Sequence, residues 1–88
     1  MKVIVYTLEV CPNCAELKRY LNTASVVYQE KDMGSAESMT ELRIGGIHMM
    51  EAPVLQVGNT FIPSKSLFAP GGKVREYVIQ DALARNTP

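Results

Sequence analysis

Two cysteines three positions apart, Cys11 and Cys14, stand where the chain changes its period, and the chain has no others. Upstream, Lys2 to Thr7 reads Lys-Val-Ile-Val-Tyr-Thr. This run of β-formers without polar alternation predicts a strand buried on both faces, and so a sheet covered on both sides. Downstream, Leu8 to Val10 turn the chain, and Pro12 suits the first position of a helix, where its fixed φ fits and its missing N–H is not needed. Cys14, Leu17 and Leu21 then recur at i, i+3 and i+7, with Lys18, Arg19 and Asn22 left for the wet side. The cysteine pair is thus predicted to lie in the joint between a buried strand and an amphipathic helix.

The remaining chain continues this alternation. Asn22 to Ser25 end the first helix, and Val26-Val27-Tyr28 with the alternation onward to Met33 predicts a second strand. Ser35 can cap a following helix, with Glu37 favourably placed in its first turn. Met39 and Leu42 are expected on its apolar side, and Gly45-Gly46 to end it in a left-handed conformation. Pro53 to Val57 predicts a third strand, Gly58-Asn59 a tight hairpin, and Thr60-Phe61-Ile62 a returning fourth strand. Ser64 and Ser66 can each cap a helical turn. After the interruption at Pro70-Gly71-Gly72, Val74 to Ala84 predicts a last helix with Val78 and Ala82, and Tyr77 at the margin, facing the sheet. The order is βαβαββα in one domain, 1–88: an α/β chain with a four-stranded mixed sheet flanked by helices, which is the minimal thioredoxin fold. The loop carrying Cys11 then falls at the carboxyl end of the first strand, where open α/β sheets place their chemistry.

Composition narrows the function classes. Apolar residues make up 47% and charged residues 20% of 88 residues, as in folded globular chains and unlike disordered ones. Nine basic and nine acidic side chains give a formal net charge of zero, without a basic run, so nucleic acid is not an expected partner. The apolar run Val3 to Tyr6 is far too short for an export signal or a membrane span. A cytoplasmic protein is therefore the expectation, with a monomer the default. In that compartment structural disulfides are rare, and a Cys-x-x-Cys pair points to redox or metal chemistry.

Disulfide exchange needs a thiolate, an accessible sulfur and a second thiol near enough to resolve the mixed disulfide. Cys11 is predicted at the N-cap of the first helix, where free N–H groups and the macrodipole favour an anion by roughly 0.3–1 kcal/mol when exposed and up to ~2 kcal/mol when partly buried. That lowers the thiol's pKa. Cys14, one turn on and more shielded, is placed to attack a mixed disulfide on Cys11. Three other readings compete. A structural zinc site would need two further ligands, and the only histidine is His48. Two inert buried thiols would not need the strand–helix joint. A structural disulfide across so short a loop would constrain the unfolded chain little.

The chain resembles the glutaredoxin family, in particular its glutaredoxin-like thioredoxin branch, which donates electrons to enzymes such as ribonucleotide reductase. The likeness is carried by Tyr6-Thr7 leading into Cys11-Pro12-Asn13-Cys14 and by Ala52-Pro53-Val54-Leu55-Gln56-Val57-Gly58, and in element order it covers nearly the whole chain. It implies that Pro53 is a cis proline facing the redox-active Cys11–Cys14 disulfide. It also implies that Ala52 offers its backbone N–H and C=O to an extended substrate as a short stretch of β-pairing, with Pro12 beside the reacting sulfur.

The departures bear on the electron donor. Family members that use glutathione usually place a lysine where this chain has Leu8 and a threonine where it has Glu51. After the fourth strand they carry Gly-Gly and aspartates, where this chain reads Pro63-Ser64-Lys65-Ser66-Leu67. The groups that would match glutathione's two carboxylates and ammonium are mostly absent. Glu9, two residues before Cys11, opposes thiolate formation and repels an anionic tripeptide. Lys65 would offset it if its loop folded toward Cys11, and Ser64 is either a substrate contact or a helix cap. His48, Met49 and Met50 are expected in a loop, one methionine packed and one exposed, and Tyr6 under the active-site loop. The expected function is reduction of protein disulfides by dithiol exchange, with no resident cofactor and with recycling by a thioredoxin-type reductase. The alternatives are a glutathione-dependent glutaredoxin and, in another class, an iron–sulfur or metal carrier sharing a cluster through Cys11.

Overall fold

The computed structural model describes residues 2–49 and 51–86. The elements are β1 (Val3–Thr7), α1 (Pro12–Thr23), β2 (Gln29–Asp32), α2 (Ala36–Ile44), β3 (Val54–Val57), β4 (Thr60–Ile62), α3 (Ser64–Leu67) and α4 (Glu76–Arg85). The strands form one mixed sheet in the order β2-β1-β3-β4. β1 runs parallel to β2 and antiparallel to β3, and β3 runs antiparallel to β4. The chain is a mixed α/β protein whose four-stranded sheet is flanked by helices.

Every residue of the central strands β1 and β3 is buried, as the unbroken apolar runs require. Their side chains alternate between two clusters, one on each face of the sheet. Val3, Val5, Leu55 and Val57 point to the face covered by Leu17 and Leu21 of α1 and by Ile79 and Ala82 of α4. Ile4, Tyr6 and Val54 point to the other face, against Leu42 of α2 with Met33 and Ile47. The polar side chains buried there are satisfied: the Tyr6 hydroxyl donates to Gln56 Oε1 at 2.7 Å, and Gln56 Nε2 donates to the Gly58 carbonyl at 2.9 Å.

Several local expectations are corrected. β2 begins at Gln29, so Val26-Val27-Tyr28 are not strand. The chain there is still leaving α1: the N–H groups of Ala24, Ser25 and Val26 donate back to Tyr20, Asn22 and Leu21, which delays pairing with β1. On α2, Ser38 and Leu42 are buried while Met39 is exposed. Ser35 caps that helix as expected, accepting from the Ser38 N–H at 3.1 Å. Gly45 is not left-handed (φ −78°); Gly46 is, at φ +87°. α4 starts at Glu76 and buries Ile79 and Ala82, with Val78 partly buried and Tyr77 65% exposed. The antiparallel bridge Phe68↔Val74 holds the preceding segment and delays the start of the helix. The hairpin at Gly58-Asn59 forms as expected, with Val57 paired to Thr60 and Gly58 at φ +59°.

Candidate active site

The site is built on the N-terminus of α1. Cys11 is the N-cap residue in extended conformation (φ −151°, ψ 93°), and its Sγ accepts from the Cys14 N–H at 3.1 Å. Pro12 occupies the first turn, as its lack of an N–H permits. Cys11 and Cys14 form a disulfide with a Cα–Cα distance of 5.2 Å. The pair is asymmetric: Cys11 is half-buried and lines two open grooves, whereas Cys14 is 3% exposed and borders only one of them.

The Ala52–Pro53 peptide is cis, and Pro53 is buried at the entrance to β3. Because β3 lies next to β1, Ala52 comes beside the cysteine loop. Ala52 and Glu51 line one groove with Leu8, Val10, Cys11, Pro12 and Asn13, an open space of about 360 Å³. Ser64 does not cap α3, whose N-cap is Pro63. Its hydroxyl, 6% exposed, instead donates to the Ala52 carbonyl at 3.4 Å, occupying one of the two acceptor positions of that oxygen.

The second groove, about 670 Å³, runs along the β2 side and is lined by both cysteines with Thr7, Lys18, Glu30 and Asp32 among others. Here the Thr7 hydroxyl donates to Glu30 Oε2 at 3.0 Å, and Lys18 Nζ donates to both Glu30 oxygens at 3.3 and 3.2 Å. The hydrogen bond from Thr7, then that from Lys18, holds the Glu30 carboxyl below the usual carboxylate range. The sequence reading passed over this trio. Lys18 was locatable, lying four residues after Cys14 and so on the same helix face. Glu30 reaches the site only through β1–β2 pairing, which local sequence does not reveal.

Lys65 is exposed and lines neither groove that reaches Cys11. It belongs to a third space of about 330 Å³ with His48, Met49, Glu51 and Ser64. His48 and Met49 are exposed; Met50 lies outside the described residues. Tyr6 lies in the second core cluster, stacked on Phe61 at a centroid distance of 6.4 Å. Burial, then the charges of Glu41 and Glu37, raises the pKa of its hydroxyl.

Among the described residues, no group of three or more His, Cys, Asp or Glu side chains is placed to hold a metal ion, and no helix is long and apolar enough to cross a membrane. A close cysteine pair joined as a disulfide at a helix N-terminus is compatible with thiol–disulfide redox chemistry. No protein-family model, curated protein or solved structure matches this chain.

Proposed function

We propose that the protein is a thiol–disulfide oxidoreductase of the thioredoxin fold, glutaredoxin-like in its site, which reduces protein disulfides. The observation that carries this reading is the asymmetry of the sulfurs: an accessible one at a helix N-cap, bonded to a buried one a turn behind. In the reduced state the Cys11 thiolate, favoured by the helix N-terminus, attacks one sulfur of the substrate disulfide. The substrate S–S bond breaks, its other sulfur leaves as a thiolate, and a Cys11–substrate disulfide forms. Cys14, having lost its proton, attacks Cys11 Sγ and expels the second substrate thiolate. Two electrons pass to the substrate, the two protons of the protein dithiol end on the substrate thiols, and the Cys11–Cys14 bond is restored. Ala52 would hold the substrate backbone beside the reacting sulfur, with Pro12 and Pro53 shaping the approach.

The oxidised protein then needs a two-electron donor. A thioredoxin-type reductase fits better than glutathione, because Leu8, Glu51 and the stretch Pro63-Ser64-Lys65-Ser66-Leu67 stand where glutathione-using relatives carry groups that recognise the tripeptide, and Lys65 does not line a groove with Cys11.

The test is trapping. A reduced Cys14→Ser variant mixed with a disulfide-containing protein should accumulate a covalent adduct on Cys11, located by peptide mass spectrometry and released by dithiothreitol. The unsubstituted protein should turn over without accumulating it. Absence of an adduct, or its appearance on a Cys11→Ser variant instead, would remove the basis of the reading.

A further inference from the structure

We infer that the disulfide segment this site takes up is a cationic one with an apolar side chain beside its cysteine. The inference rests on the reading of Cys11 as the attacking sulfur and adds the chemistry of what it attacks.

The two grooves that reach Cys11 set the terms. Beside Ala52 the lining is apolar, from Leu8, Val10 and Pro12. Val10 is 92% exposed and Leu8 42%, so two large apolar side chains adjoin the reacting sulfur without contributing much to the core. Such a patch gains by covering. It accommodates an apolar side chain on a segment paired along Ala52.

Charge decides the rest. The two grooves are lined by four carboxylates, Glu9, Glu30, Asp32 and Glu51, against two ammoniums, Lys18 and Lys31, although the chain as a whole is formally neutral. Both ammoniums are already engaged: Lys18 with Glu30 at 3.2 Å and Lys31 with Glu37 at 3.5 Å. Among the described residues, Glu9, Asp32 and Glu51 form no ion pair. A docked segment brings its own charges within a Debye length, about 8–10 Å at ordinary salt, of these carboxylates. Arginine or lysine flanking the substrate cysteine is attracted there, and aspartate or glutamate is repelled. Lys65 and His48 stand beyond Glu51 in the third space and do not line the grooves at Cys11. The same distribution disfavours the anionic glutathione disulfide.

The experiment offers the reduced protein two disulfide-bridged peptides, identical except that leucine and two arginines, or leucine and two glutamates, flank the cysteine. Initial rates of reduction are read at ionic strengths of about 0.01 M and about 1 M. The arginine peptide should react about tenfold faster or more at low salt, and the ratio should fall toward one at high salt. A Glu9→Gln, Glu51→Gln double variant, confirmed as folded by circular dichroism, should narrow the low-salt ratio, and Glu51→Lys should narrow it further. Equal rates for both peptides, or a ratio indifferent to salt and to the substitutions, would overturn the inference and leave the oxidoreductase reading standing. Failure of both peptides to be reduced would overturn both readings.

Discussion

Three side chains meet behind Cys14: the Thr7 hydroxyl and the Lys18 ammonium both reach the Glu30 carboxylate. Each contact favours the ionised acid, so the folded protein binds its proton only at a pH below the ordinary value of 4.5. The sign follows from linkage. Above 4.5 the carboxylate is ionised in folded and unfolded chains, and its stabilisation is fully present; as pH falls through the lower folded value, that stabilisation is lost. Thr7→Val removes the hydrogen bond that contributes most to the shift while nearly conserving volume. It should move the Glu30 titration, followed by NMR of its side-chain carboxyl, back toward 4.5, and it should reduce the loss of stability on acidification. An unchanged titration would mean that Lys18 alone holds the carboxylate. That Cys11 and Cys14 stand at a helix start is legible in sequence because what marks it is local, a spacing of three and a proline between them; the cis Ala52–Pro53 peptide is expected only from the family resemblance. The Thr7–Glu30 contact spans 23 residues, and no local pattern announces it.

At the scale of elements, the sheet and the helix order were legible because each rests on a period. What escaped were the phases of short helices. α2 offers nine residues and α4 ten, so a shift of one position moves the buried stripe from Met39 to Ser38, or from Val78 to Ile79. The end of α2 shows how one sequence signal can serve two purposes. Gly45 and Gly46 read together as a left-handed stop, yet only Gly46 has positive φ. Gly45 is small for another reason: a Cβ there would overlap the ring of Phe61 on β4. The glycine is where α2 closes onto the sheet edge. Gly45→Ala should therefore destabilise by about 1–3 kcal/mol through overpacking, and a second substitution, Phe61→Leu, should recover part of the loss. Gly46→Ala should destabilise by about 1–2 kcal/mol through backbone conformation, since nothing lies within 4 Å of its Cβ position. Phe61→Leu should not rescue that variant. Urea denaturation of the single and double variants measures the coupling directly. Equal rescue of both glycine variants would show that the Phe61 contact is not what Gly45 accommodates.

For the whole molecule, the proposed dithiol exchange requires a fold that survives both making and breaking of the Cys11–Cys14 bond, and the distribution of the core bears on that requirement. Leu17, Leu21, Leu55, Leu67 and Ile79 on one face of the sheet, and Ile4, Tyr6, Met33, Leu42 and Val54 on the other, are almost fully excluded from water. Truncating a single such leucine to alanine typically costs about 2–5 kcal/mol. The Cys11–Cys14 bridge joins residues only three apart, so closing its loop removes little freedom from the unfolded chain, about 2 kcal/mol by the chain-entropy relation. The bridge therefore contributes no more than one core side chain. Reduction also leaves Cys11 at the N-cap, where its sulfur can still accept from the Cys14 N–H and face the positive end of the helix. The expectation is that dithiothreitol leaves the far-ultraviolet circular dichroism unchanged at room temperature and lowers the melting temperature by roughly 8–16 °C at most, taking about 4–8 °C per kcal/mol for a domain of this size. A Leu21→Ala variant, by contrast, should lose comparable or greater stability in either redox state. If reduction alone unfolded the chain, the disulfide would be a structural staple. The two-faced core could then not serve as the scaffold on which a redox cycle turns.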